Sequence, residues 1–87
     1  MKPGEVTEKA HRLVTQDRAE EHGNMHALFA RIAQRWETHL GIPVSAWDVA
    51  IMMADLKLAR AEQNPKGEDN YVDLAGYADI AGVLKNA

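Results

Sequence analysis

The sequence predicts an all-α fold, a compact bundle of about four helices with a buried third helix. Three observations predict it. Apolar residues recur at helical spacing in several successive stretches. Glycine- and proline-bearing turns at Gly41–Pro43 and Asn64–Gly67 separate the later stretches. No segment alternates with period two for long, and β-branched residues are scarce.

The first helix spans about residues 5–14. Val6, Ala10, Leu13 and Val14 share one of its faces. That face would next carry Asp17, a carboxylate that a continuing helix would bury. A break is cheaper, with Asp17 as an N-cap and Glu20 completing a capping-box pattern. Gly23 marks a further interruption, since glycine costs about 1 kcal/mol against alanine inside a helix.

The second helix covers about 24–40. Met25, Leu28, Phe29, Ile32, Ala33, Trp36 and Leu40 make its apolar stripe, with Arg31, Gln34, Arg35, Glu37 and Thr38 opposite. Gly41 suits a C-cap with positive φ, and Pro43 pushes the residue before it out of the helical region.

Ser45-Ala46-Trp47-Asp48 reads as a capping box opening a third helix over about 45–63. Apolar residues occupy nearly every side of it, the pattern of a central, buried helix. The fourth helix covers about 69–84, beginning near Asp69 or Asn70 after the Asn64-Pro65-Lys66-Gly67 turn. Gly76 and Gly82 permit close helix approach within it. Trp36, Trp47, Phe29, Met25, Met52 and Met53 all sit at core spacing.

At 87 residues the chain makes one domain, residues 1–87. A domain of this size buries only roughly 60–65% of its unfolded surface. Self-association as a two-fold dimer is therefore expected, because the remaining helices of so short a chain do not cover the third on every side. There is no cysteine, which excludes disulfides, thiolate metal sites and a cysteine nucleophile. No apolar run approaches the roughly 20 residues that span a bilayer. The polar start, Met1 to Glu8, is not a secretory signal, so a cytoplasmic location is expected. A net charge of −3 disfavours phosphate-driven binding to duplex nucleic acid.

The run Asp69-Asn70-Tyr71-Val72-Asp73-Leu74-Ala75-Gly76-Tyr77 carries the most chemistry. Asp69 and Asp73 are four apart and share a helical face, with Gly76 beside them. Two carboxylates so placed suit a divalent cation, magnesium, that in turn holds phosphate oxygens. The competing reading makes Asn70 the N-cap and Asp73 its N3 partner. Lys57 and Arg60, three apart on the third helix, can reach one anion. The short turn makes helices three and four antiparallel neighbours, which sets Arg60 near Asp69 or Asn70 and Lys57 level with Asp73. Plain Lys57–Asp73 and Arg60–Asp69 salt bridges fit that register as well as a ligand does.

Asp48, Asp55 and Glu62 recur every seven residues, the pattern of a solvated stripe. His22 and His26 have a zinc-compatible spacing, but Gly23 interrupts them and no third ligand accompanies them.

Thr15-Gln16-Asp17-Arg18, His22-Gly23-Asn24, Phe29-Ala30-Arg31-Ile32-Ala33 and Trp36 form one group of distinctive residues. Asp48-Val49-Ala50, Met52-Met53, Lys57, Ala59-Arg60 and the Asp69–Tyr77 run form another. Together they resemble a family of small tailed-phage and prophage proteins catalogued as a domain of unknown function. His22 departs from that pattern, which has a tyrosine there. The layout is also loosely similar to the all-α nucleoside triphosphate pyrophosphohydrolases of the MazG type. Those enzymes hold magnesium with Glu-x-x-Glu and Glu-x-x-Asp pairs; this chain offers Asp69 and Asp73 four apart instead.

Two functions follow as expectations. One is a phage accessory protein that binds a phosphorylated small molecule, a nucleotide with magnesium, through Lys57, Arg60, Asp69, Asn70 and Asp73. Asp69 and Asp73 are then the metal ligands. The other is a non-enzymatic module that binds and inhibits or redirects a host or phage protein.

Overall fold

The computed structural model describes residues 1–17 and 25–86. Among these the chain is helical, with no strand. Helix α1 is Glu5–Arg12, and a π-helical turn, Leu13–Asp17, continues it. Helices α2, α3 and α4 are Met25–Leu40, Ala46–Gln63 and Glu68–Val83. The first helical stretch thus runs past Val14 through a wider turn, where the Thr15 hydroxyl donates to the His11 carbonyl at 2.6 Å. Such back-bonding loosens a helix locally. The capping box read from Asp17 to Glu20 extends into residues outside those described.

Helix α3 lies along α4. Helix α1 and its π-helical turn pack on α4, and α2 packs on α3. The domain measures 41 × 29 × 21 Å. Its short dimension is about two helix diameters.

The turns behave as their residues dictate. Gly41 has φ 73°, and its N–H donates to the Glu37 carbonyl at 2.8 Å, closing α2. The Ser45 side chain accepts from the Asp48 N–H at 3.0 Å, and the Asp48 carboxylate accepts from the Ser45 N–H at 2.8 Å. This is the reciprocal capping box that the sequence predicts.

The core joins α2, α3 and α4 through Phe29, Ala33, Ala46, Val49, Ala50, Ile80, Ala81 and Leu84. The Phe29 and Tyr77 rings meet at 6.5 Å, tilted by 48°. Alanine is the commonest buried residue, and among the described residues Val49 and Leu84 are the large side chains buried completely.

The expectation of a buried third helix is corrected. Only Ala46, Val49, Ala50 and Ala61 of α3 are buried, while Trp47, Met52, Leu56 and Leu58 are exposed. Among the described residues α4 and α2 pack on α3, whereas α1 packs on α4. Trp47 and Met52 therefore leave the expected core, whereas Met25, Trp36 and Met53 pack against it, half-buried.

Candidate functional site

Helices α3 and α4 are joined by a tight turn. Its Gly67 N–H donates to the Asn64 carbonyl at 3.0 Å, and the Tyr71 hydroxyl donates to the Pro65 carbonyl at 2.6 Å. The turn reverses the chain in the predicted antiparallel register. It divides the five candidate residues into two groups.

The first group is an ion pair. Lys57 Nζ lies 3.0 Å from Asp73 Oδ2, with the two side chains 20% and 18% exposed. This is the salt bridge that the register predicts. Asp73 also borders a cavity of about 20 Å³ between α4 and the first helical stretch, lined among others by Ala10, Val14, Gly76 and Tyr77. That volume is about one water molecule.

The second group surrounds an open depression at the α3–α4 turn. Arg60, Asn64, Gly67, Glu68, Asp69 and Asn70 line it. Helix α4 starts there with Gly67 as its N-cap, and no side chain caps it. The Glu68 and Asp69 amides, the first two of the helix, are therefore left for solvent or a ligand. A Cβ on Gly67 would come within 2.9 Å of Asn64 Nδ2 and 3.1 Å of Asn70 Nδ2, so glycine makes room for two carboxamides there. Glu68 is matched by Lys9 of α1 at 3.8 Å, an exposed contact. Among the described residues, Arg60 and Asp69 form no ion pair with each other.

The Asn70 N-cap reading is overturned. Helix α4 begins at Glu68, so Asn70 lies in its first turn and its N–H donates to the Gly67 carbonyl at 3.2 Å. Gly67 ends the extended turn one residue earlier, and that fixes the start. Asp73 consequently lies too deep in α4 to cap it, and it meets Lys57 instead.

Gly76 is buried, and a Cβ there would meet Val14 Cγ2 at 3.6 Å, so it faces the first helical stretch. A Cβ on Gly82 would meet nothing within 4 Å, so no close approach depends on it.

Asn64 and Glu68 also line the depression, and sequence reasoning missed them. Asn64 was legible only as a turn former. Asp55 and Glu62 are exposed on α3, as a solvated stripe requires, while Asp48 is held in the capping box. His22 lies outside the described residues. Among the described residues no cluster of three metal-ligating side chains occurs, and no helix is long and apolar enough to cross a membrane.

Donors and two carboxylates, those of Glu68 and Asp69, line the depression. The Arg60 guanidinium, two carboxamides and the open end of α4 favour an anion, and the helix dipole adds to this. Asp69 opposes a bare anion but suits a cation carried with it. Magnesium typically binds through one or two carboxylates plus substrate phosphates and water. Asp69 lines the depression, whereas Asp73 lies a turn further along α4 and pairs with Lys57.

Comparison with known proteins gives a family and no chemistry. Residues 5–85 match the family described as Domain of unknown function (DUF6378). The Gene 55 protein of Mycobacterium phage L5 is 36% identical over 72 residues, 82% of this chain and 46% of that protein. The Gene 55 protein of Mycobacterium phage D29 is 33% identical over 73 residues, 84% of this chain and 48% of that protein. The chain spans about half the length of the curated relatives it matches. No solved structure matches it.

Proposed function

Because the chain belongs to the DUF6378 family, a domain of unknown function with relatives in phages, we propose that it is a phage accessory protein that binds a phosphorylated small molecule, a nucleotide, at the α3–α4 turn. The observation that carries this reading is Arg60. It shares one depression with Asp69, Asn70 and the uncapped start of α4, and it makes no ion pair with Asp69. Arg60, Asn70 and the first amides of α4 take phosphate oxygens. Asp69 takes magnesium shared with those oxygens. Lys57 and Asp73 hold the two helices in register beneath the site. A thermal-shift series with nucleoside mono-, di- and triphosphates, each with and without magnesium, tests it. The reading expects a magnesium-dependent rise in melting temperature with at least one nucleotide. A flat response across the series contradicts it.

A second reading, a non-enzymatic module that binds a host or phage protein, is favoured by the large apolar side chains left exposed on α3. Such surface often marks a protein–protein contact.

A further inference from the structure

The large apolar side chains of this domain are divided between its core and the outer face of α3. Its buried core is mostly alanine, while Trp47, Met52, Leu56 and Leu58 of α3 are 38%, 45%, 47% and 49% exposed. The accessible surface is 6165 Å² for a 9.7 kDa chain. A folded monomer of that mass is expected to expose about 5100 Å². The excess, about 1000 Å², is comparable to the roughly 800 Å² that each partner buries in a standard interface.

Charge identifies what covers the face. By the helical period, Asp55 and Glu62 form a stripe on the outer side of α3. Trp47 and Leu58 flank it on one edge, and Met52 and Leu56 on the other. Helix α2 carries the complement: Leu28, Arg31, Arg35 and His39, spaced three, four and four apart, form an exposed basic stripe headed by an apolar residue. Among the described residues, neither the Asp55–Glu62 pair nor the Arg31–Arg35 pair is matched by an ion pair. Because α2 packs directly on α3, a second copy can use both stripes at once and close the assembly.

We propose that the outer face of α3 is the interface of a two-fold homodimer. In it Asp55 and Glu62 of each copy meet Arg31 and Arg35 of the other, with Met52, Leu56 and Leu58 buried between them. This inference is independent of the ligand reading, since it uses none of the residues at the α3–α4 turn. Two-fold closure uses each stripe twice, as an isologous interface requires, and charge pairing fixes which surfaces meet.

Sedimentation equilibrium from low to high micromolar concentration tests the proposal. The full chain should be a dimer that weakens with salt, and Leu56→Glu should be a folded monomer by circular dichroism. Two charge-reversed chains supply the decisive comparison. D55R/E62R and R31E/R35E should each self-associate at least about tenfold more weakly than the original chain. Mixed in equal amounts, they should form a heterodimer, because each reversed stripe then faces its complement. Misfolded chains would not recover on mixing. A wild-type monomer at high micromolar concentration, which leaves the face to a different protein, overturns the proposal. So does a dimer that Leu56→Glu leaves intact, or a pair of reversed chains that fails to associate on mixing.

Discussion

Lys57 on α3 and Asp73 on α4 form an ion pair, Nζ to Oδ2 at 3.0 Å, with both side chains largely withdrawn from solvent. The pair sits one helical turn from the depression that holds Arg60 and Asp69. It ties the two helices together beside that depression and gives the Asp73 carboxylate a cation partner.

Asp73→Asn should therefore destabilise the fold by about 1–3 kcal/mol, between the values for exposed and buried pairs. Arg60→Ala should change stability by less than about 0.5 kcal/mol, as expected for a surface position. Denaturant unfolding of the two variants beside the parent protein checks this. Equal losses would mean that both cations serve the fold in the same way.

Ser45→Ala removes the hydroxyl that accepts from the Asp48 N–H at 3.0 Å. The cost should be about 1 kcal/mol, the usual value for losing an N-cap side chain. Amide exchange should quicken first at the start of α3. Unchanged protection there would show that the capping box adds nothing to the helix.

Gly76→Ala should stabilise the protein. The added methyl would meet Val14 Cγ2 at 3.6 Å, ordinary van der Waals contact. Alanine is favoured over glycine inside a helix by about 1 kcal/mol. A rise in melting temperature supports this placement; a fall would mean that α1 packs more tightly on α4 than described.

At the N-terminus the Lys2 backbone N–H donates to Glu5 Oε2 at 2.9 Å. That hydrogen bond, with smaller help from the charge of Lys9, holds the Glu5 carboxyl below its ordinary value. Its contribution to α1 is full above the ordinary carboxylate range and is lost as pH falls through the depressed value. Protection of the α1 amides, taken relative to the intrinsic exchange rate at each pH, should fall in acid, and Glu5→Gln should flatten that dependence. An identical acid profile in the variant would place the titration elsewhere.

The helices were legible because each is punctuated by residues with one strong local preference. Gly41 supplies a positive φ, and Ser45 with Asp48 supplies a reciprocal cap. The Lys57–Asp73 register followed from the shortness of the turn alone. That three short helices leave part of α3 uncovered was legible; which side was not. Apolar residues lie on nearly every side of α3, and among the described residues α1 packs on α4, leaving Trp47, Met52 and Leu56 exposed. The start of α4 was misplaced because Asn70 is a stronger capping residue than the Gly67 that does the work. Glu68 has a partner, Lys9, that is distant in the chain, and local pattern does not carry such a contact.

Titration calorimetry of the wild-type chain and of Arg60→Ala, with a nucleoside triphosphate and magnesium, tests the ligand reading most directly. The account predicts saturable heat for the wild type. It predicts affinity at least about tenfold weaker for Arg60→Ala, the value of one charge-assisted hydrogen bond, with the melting temperature of the free variant unchanged. No heat for the wild type with mono-, di- or triphosphates, or equal affinity in the variant, would contradict it.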